Sequence, residues 1–151
     1  IIDSQLYSDG SGGDYLCMPA GGSLRPASHD TVDAKQHFIY QDGQPVFKSA
    51  VTKMADVSYE VMQRNNLTAD DVAWLVPHQA NLRIIDATQR RTGLPHEKVM
   101  INIHKYGNTT ACSIPLALHE AISEGKLKRG DLLCLAAFGA GFTWGSALIR
   151  Y

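Results

Sequence analysis

The sequence predicts an α/β domain over residues 1–151, a mixed sheet with helices layered against it. Three observations carry this. Val72 to Val76 is an unbroken apolar run ended by Pro77 and followed by a helical pattern from Asn81, as expected of a strand buried on both faces. Val99 to Ile103 and the apolar stripe at 111–124 repeat that strand-then-helix order. Leu132 to Ala137 and Thr143 to Arg150 are two further strands around Phe138-Gly-Ala-Gly-Phe142. Strands that alternate with helices in this way build a sheet covered by helical layers.

The elements follow in order. Residues 1–7 alternate loosely, as at the end of a strand, and Ser8 to Gly13 is turn chemistry rich in glycine. Residues 15–35, with Pro19, Gly21, Gly22 and Pro26, form an irregular excursion. His37 to Tyr40 reads as a strand, Gln41 to Gln44 as a hairpin-type turn, and Pro45 to Lys48 as a short extended segment. From Val51 to Arg64, positions 51, 54, 55, 57, 58, 61 and 62 recur at helical spacing. Thr68 to Asp71 is a helical turn. Asn81 caps a helix through Arg91 that Gly93 closes. The helix at 111–124 carries Pro115 near its start, where a missing N–H does least harm, and Gly125 follows it. Lys128 to Asp131 is a turn.

At 44% hydrophobic residues the chain can bury a core, and its net charge of −1 gives no field that would draw nucleic acid or a membrane surface. No apolar run reaches the length of a membrane span, and no amino-terminal leader pattern is present. Cys17, Cys112 and Cys134 are odd in number and lack CxxC spacing, as in a reduced, cytoplasmic protein. The six histidines show no HxxxH spacing, so no metal site is expected. The strand-like opening Ile-Ile-Asp, without an initiator Met, points to a piece of a longer polypeptide.

Two segments carry the chemistry. Val-Pro-His-Gln-Ala-Asn at 76–81 and Tyr-Gly-Asn-Thr-Thr at 106–110 each stand between a strand and a helix, so His78 and Asn108 fall at carboxyl ends of strands, where open α/β sheets bind ligands. Singly, each side chain is equally a structural hydrogen-bonder or a turn former. As a pair they offer two neutral donors to one developing oxyanion, provided that the histidine carries its proton on Nε2. The glycines of 138–142 fit either a tight connection between strands or a close backbone approach to a ligand. Arg83, Arg90 and Arg91 on the helix from Asn81 form either a solvated face, with Asp86 pairing to Arg83 or Arg90, or a small basic patch for phosphate or an acidic partner.

Tyr-Ser-Asp-Gly-Ser at 7–11, Gln-Pro-Val-Phe-Lys at 44–48, His-Gln-Ala-Asn-Leu-Arg-Ile at 78–84, Gly-Asn-Thr-Thr at 107–110 and Phe-Gly-Ala-Gly-Phe-Thr-Trp-Gly-Ser at 138–146 together resemble the C-terminal half of the β-ketoacyl-acyl carrier protein synthase III family. The resemblance spans essentially the whole chain. It implies the thiolase-like α-β-α-β-α fold, of which this half would hold a five-stranded mixed sheet with helices. It implies a Cys-His-Asn triad in which His78 and Asn108 match the family's positions. The nucleophilic cysteine would lie in an N-terminal half absent here, and the three cysteines of this chain are read as structural.

The resemblance further implies an acyltransferase that condenses an acetyl-CoA-like primer with malonyl-acyl carrier protein, decarboxylating it, at the start of type II fatty acid synthesis. His78 and Asn108 would donate to the malonyl thioester, and the backbone at Ala140 would complete the acyl oxyanion hole. Ala140 stands where the family has glycine. Gly43, Phe47, Ala80, Asn81 and Ile84 match positions lining the tunnel for the pantetheine arm of coenzyme A. Lys48, Arg83, Arg90 and Arg91 match basic positions that receive the acyl carrier protein. Coenzyme A thioester enters as substrate and no cofactor is implied. The expected partners are the N-terminal half, a second copy in a homodimer, acyl carrier protein and acyl-CoA, with neither nucleic acid nor membrane. Other readings are a thiolase-fold condensing enzyme of the chalcone-type polyketide or hydroxymethylglutaryl-CoA kind, or a non-catalytic partner subunit.

Overall fold

The computed structural model describes all residues, Ile1 to Tyr151. Strands β1 (Asp3–Ser8), β4 (Trp74–Pro77), β5 (Leu132–Gly139) and β6 (Thr143–Arg150) form one sheet in the order β1-β6-β5-β4. β1/β6 and β6/β5 are antiparallel and β5/β4 is parallel, so the sheet is mixed as expected. A two-stranded ribbon of β2 (Leu16–Cys17) and β3 (Tyr40–Gln41) brackets the excursion, which also holds the short helix α1 (His29–Asp33). The remaining helices are α2 (Gly43–Arg64), α3 (Leu82–Thr92), α4 (Ile103–Tyr106) and α5 (Ser113–Ser123).

Helix α2 runs eight residues further toward the amino end than its expected start at Val51. Asp42 holds the cap position, so the expected hairpin turn and the extended segment at Pro45 to Lys48 are helix instead. Pro45 sits in the first turn, whose amides have no intrahelical acceptor, so its missing N–H breaks nothing. Val46, Ala50, Met54, Val57 and Val61 then make one buried stripe along the helix.

The expected strand at Val99 to Ile103 shrinks to a single parallel bridge between Val99 and Leu75, with the Met100 amide on the Leu75 carbonyl at 2.9 Å. The sheet therefore has four strands plus this bridge where a fifth was expected. Beyond Met100 the backbone amides of Asn102 and Ile103 turn onto the side chain of Gln79 and the chain enters α4. His37 to Ile39, also expected in a strand, lie outside β3.

The core falls into three clusters. One joins Val61 and Met62 of α2 to Leu75, Ile85, Cys134 and Leu148. A second joins Val46, Ala50 and Met54 to Ala136, Phe138 and Phe142. The third sits on the other sheet face, where Ala117 and Ala121 of α5 meet Val76 and Leu133. Helix α5 covers the β4 side of that face only, and Leu6 at the far edge is 82% exposed. No helix is long and apolar enough to cross a membrane.

Close approach of β1 to β6 depends on Gly145. A Cβ there would lie 2.6 Å from Leu6 Cδ2 and 2.8 Å from the Gln5 carbonyl oxygen. Asp3 holds the other end of β1 through Arg64 at 2.8 Å and Asn65 at 2.7 Å. Gly145→Val should therefore destabilise the protein by about 2 kcal/mol in urea melts. Hydrogen exchange should locate the loosening in β1, with β5 still protected; uniform loss across the sheet would contradict this account.

Candidate active site

His78 is the first residue beyond β4, and its amide still donates to the Ala136 carbonyl at 2.7 Å, continuing the parallel ladder by one step. Its ring is half-buried, and Nδ1 lies 2.6 Å from Oγ of Ser113 at the start of α5. Nε2 makes no hydrogen bond to the protein. Burial lowers the ring's pKa from its usual 6.5, which favours the neutral imidazole.

Asn108 comes after α4 and Gly107 (φ 67°), not directly at a strand end as expected, and its residue is exposed. Its Oδ1 accepts from the Thr110 amide at 2.9 Å, and Nδ2 makes no hydrogen bond to the protein. Thr110 holds φ 53°, an unusual backbone for a β-branched residue, at the point where the chain turns toward α5.

His78 and Asn108 line one cleft of about 1350 Å³, and Ala140 lines it too. Ala140 sits in the tight connection of β5 to β6, between Gly139 and Gly141 (φ 136°). Two reciprocal backbone bonds, Phe142 N–H to Asp9 O at 2.7 Å and Asp9 N–H to Phe142 O at 2.8 Å, tie this turn to the 8–13 loop. Phe142 seats over Gly12, where a Cβ would come within 2.2 Å of its ring.

The residues expected along a pantetheine tunnel also border this cleft: Gly43 and Phe47 from α2, Ala80, Asn81 and Ile84 from the start of α3. Asn81 caps α3 by accepting from the Arg83 amide at 2.9 Å, and Gly93 closes the helix in the left-handed region, both as read from the sequence. Most of the wall is apolar, and no Asp, Glu, Lys or Arg side chain lines it.

The four expected basic residues stand outside the cleft lining, all exposed. Arg83 lies over the Phe47 ring at 4.5 Å, joining the starts of α2 and α3 at the mouth. Arg91 is drawn away into an ion pair with Asp56 at 2.9 Å and over Tyr59 at 4.0 Å. Lys48 and Arg90 have no ion pair, and Asp86 pairs with neither arginine.

Cys134 is fully buried, and burial pushes its thiol up to about 11, so it is no nucleophile. Cys112 is exposed in the turn before α5. Cys17 borders the cleft from β2, with its thiol 4.0 Å from the Asp14 carbonyl and no cation beside it. All three are free thiols.

Sequence reasoning missed Gln79 and Ser113. Gln79 is wholly buried; Nε2 donates to the carbonyls of Pro77 (2.8 Å) and Met100 (3.0 Å), and Oε1 accepts from the amides of Asn102 and Ile103. Ser113 is 2% exposed and takes the Gln79 amide at 3.2 Å besides facing His78. The available signal was a glutamine between an apolar strand and a helix cap, where a buried amide needs partners.

The depressed His78 pKa has a sign. The unfolded chain takes up a proton near pH 6.5 while the folded ring does not, so this contribution to stability is intact above that pH and is lost as pH falls through the folded pKa. Unfolding by urea at a series of pH values should show stability falling in that window, and His78→Gln should flatten part of the fall. An unchanged slope in the variant would remove the assignment.

A family model described as 3-oxoacyl-[acyl-carrier-protein (ACP)] synthase III C terminal matches residues 62–151. The whole chain is 59% identical to beta-ketoacyl-[acyl-carrier-protein] synthase III of Chlorobaculum tepidum, covering 46% of that protein. The crystal structure of 3-oxoacyl-[acyl-carrier-protein] synthase III from Aquifex aeolicus VF5 matches all of the chain with a TM-score of 0.84 at 42% identity, over 44% of its own length. The corresponding enzyme from Pseudomonas aeruginosa PAO1 matches 99% of the chain with a TM-score of 0.87 at 40% identity, over 45% of its length. The chain spans about half the length of the curated relatives it matches. With a thiolase-like α/β fold and this match over its final 90 residues, the chain belongs to the C-terminal family of 3-oxoacyl-[acyl-carrier-protein] synthase III.

Proposed function

We propose that this chain is the half of a condensing enzyme that activates a malonyl thioester on acyl carrier protein and holds its enolate, in the step that joins it to a primer from acyl-CoA at the start of type II fatty acid synthesis. The observation that carries this reading is the shared cleft of His78 and Asn108, each with one side-chain atom held by the protein and one nitrogen that makes no hydrogen bond to it.

In the proposed step the malonyl carboxylate leaves as carbon dioxide and its bonding electrons pass to the α-carbon, with negative charge on the thioester oxygen. His78 Nε2–H and Asn108 Nδ2–H donate to that oxygen. Fixed donors in an apolar cleft gain most when charge has developed, so they lower the barrier rather than merely tighten binding. The enolate carbon then attacks the carbonyl of an acyl group on a cysteine of the N-terminal half, whose thiolate departs. The backbone at Ala140 supplies a donor to the tetrahedral oxyanion of that acyl group.

The apolar wall through Phe47, Ala80 and Ile84 suits a pantetheine arm, and Arg83 at the mouth suits the acidic carrier. Exposed apolar groups on the rim, Leu6 at 82% and Ile39 at 73%, support cover by the missing half. The proposal includes a homodimer, a cytoplasmic setting in keeping with three free thiols, and no cofactor beyond the thioester substrates. The family match favours this over the chalcone-type and hydroxymethylglutaryl-CoA readings.

In the intact enzyme, His78→Ala or Asn108→Ala should each lower malonyl-carrier decarboxylation by about 10²- to 10³-fold while loading of the acyl group from acyl-CoA stays within a few-fold. Mass spectrometry of the acyl adduct and a carbon dioxide assay separate the two half-reactions. Equal loss in both sinks the donor roles, and an enzyme that never acylates points to a non-catalytic subunit. Charge reversal at the mouth gives a second test. Arg83→Glu should raise the apparent KM for the carrier-bound substrate about tenfold and leave kcat largely intact. Arg91→Glu should do far less, because Asp56 already engages that guanidinium. Equal effects would dismiss Arg83 as the docking residue.

A further inference from the structure

The donor role of His78 requires a proton on Nε2, and the structure offers a device that puts it there. Ser113 Oγ lies 2.6 Å from His78 Nδ1 and also accepts the Gln79 backbone N–H at 3.2 Å. A hydroxyl has one proton and two lone pairs. With Gln79 occupying a lone pair, the proton of Ser113 has a single acceptor within reach, Nδ1 of His78.

The reverse arrangement is disfavoured. If Nδ1 carried the proton and donated to Oγ, the hydroxyl would accept twice and its own proton would be left without an acceptor in a site that is 2% exposed. Buried donors left unpaired are avoided in folded proteins. We propose that Ser113 is a positioning residue that donates to Nδ1 of His78, fixing the imidazole in its Nε2–H tautomer and aiming that N–H into the cleft. The inference rests on the enolate-holding role assigned above.

Three features make the device rigid. Ser113 is the first residue of α5, so its Cα is held by a helix packed on Val76 and Leu133 through Ala117 and Ala121. The Gln79 amide that orients Oγ belongs to a residue locked by four side-chain hydrogen bonds. His78 stands on the last rung of the β4/β5 ladder. Burial favours the neutral ring, so the two tautomers are the states being chosen between.

The test is nitrogen NMR of the intact enzyme labelled with ¹⁵N-histidine, with the His78 signals assigned by their loss in His78→Gln. The wild-type protein should show Nδ1 as an unprotonated, pyridine-type nitrogen and Nε2 as protonated. A protonated Nδ1 in the neutral ring overturns the proposal without any variant of Ser113 having to fold. Ser113→Ala should mix the two tautomers and lower malonyl decarboxylation about tenfold, with acyl loading within about twofold. Ser113→Thr, which keeps the hydroxyl, should restore both the tautomer and the rate. An alanine variant with an unchanged tautomer and rate also overturns the proposal. If Nδ1 proves unprotonated while His78→Ala spares decarboxylation, the tautomer assignment stands and the functional reading above falls.

Discussion

Four hydrogen bonds to one buried amide hold the rim of this domain together. Between them, the carbonyls of Pro77 and Met100 and the amides of Asn102 and Ile103 use every hydrogen-bonding group of the Gln79 carboxamide. These backbone groups sit where regular structure stops or starts, at the last residue of β4, in a segment with only a single bridge, and at the cap and first residue of α4. Buried and unpaired, each would cost roughly 1–3 kcal/mol. The same residue sends its own amide to Ser113 and so reaches α5 as well. The strand that delivers His78, the turn that leads to Asn108 and the helix that begins with Ser113 are thus registered on one residue, through its side chain and its backbone amide.

That registration explains why the rim can be polar in a region otherwise built of apolar side chains. His78 and Asn108 both line the cleft, and each has one hydrogen-bonding atom satisfied inside the protein, which under the proposed function leaves one donor apiece for the ligand. Neither group is charged in the state argued for, so neither carries the desolvation cost of a buried ion. A lysine or arginine at the same place would bind a ground-state carboxylate tightly and gain less on reaching the transition state. Under the proposed function, two fixed neutral dipoles favour the form in which charge has moved onto the thioester oxygen.

Much of this was legible in the sequence, and the failures share a cause. Helix α3 was read with both caps, because Asn81 and Gly93 act through local backbone geometry. The bounds of β6 are legible too, since its apolar run Ala147 to Ile149 and the glycine turn before it are also local signals. The first turn of α2 looks extended in the sequence because Pro45 and Gly43 resemble helix breakers. Only the Val46 amide on the Asp42 carbonyl and the packing of Val46 show that both are tolerated at a helix start. The apolar run at 99–103 has the composition of a strand, whereas its pairing is stopped by a side chain 23 residues earlier than Asn102, that of Gln79. The catalytic candidates were visible as motif residues. Their supports were not, since the link from Ser113 to His78 spans 35 residues and leaves no local pattern.

The shape of the cleft sets what this half can do by itself. Electrostatic preorganisation is strongest where water is excluded, since a donor facing bulk solvent competes with it. Here Asn108 is exposed, Leu6 stands almost bare on the sheet edge, and α5 covers only the β4 side of that face. The polar groups are therefore placed before the cavity around them is closed. Under the proposed function, the missing half brings the nucleophile and, by covering the same face, also lowers the dielectric in which His78 and Asn108 act. Placement of the donors belongs to this chain through Gln79 and Ser113, while their full strength depends on the surface that closes over them.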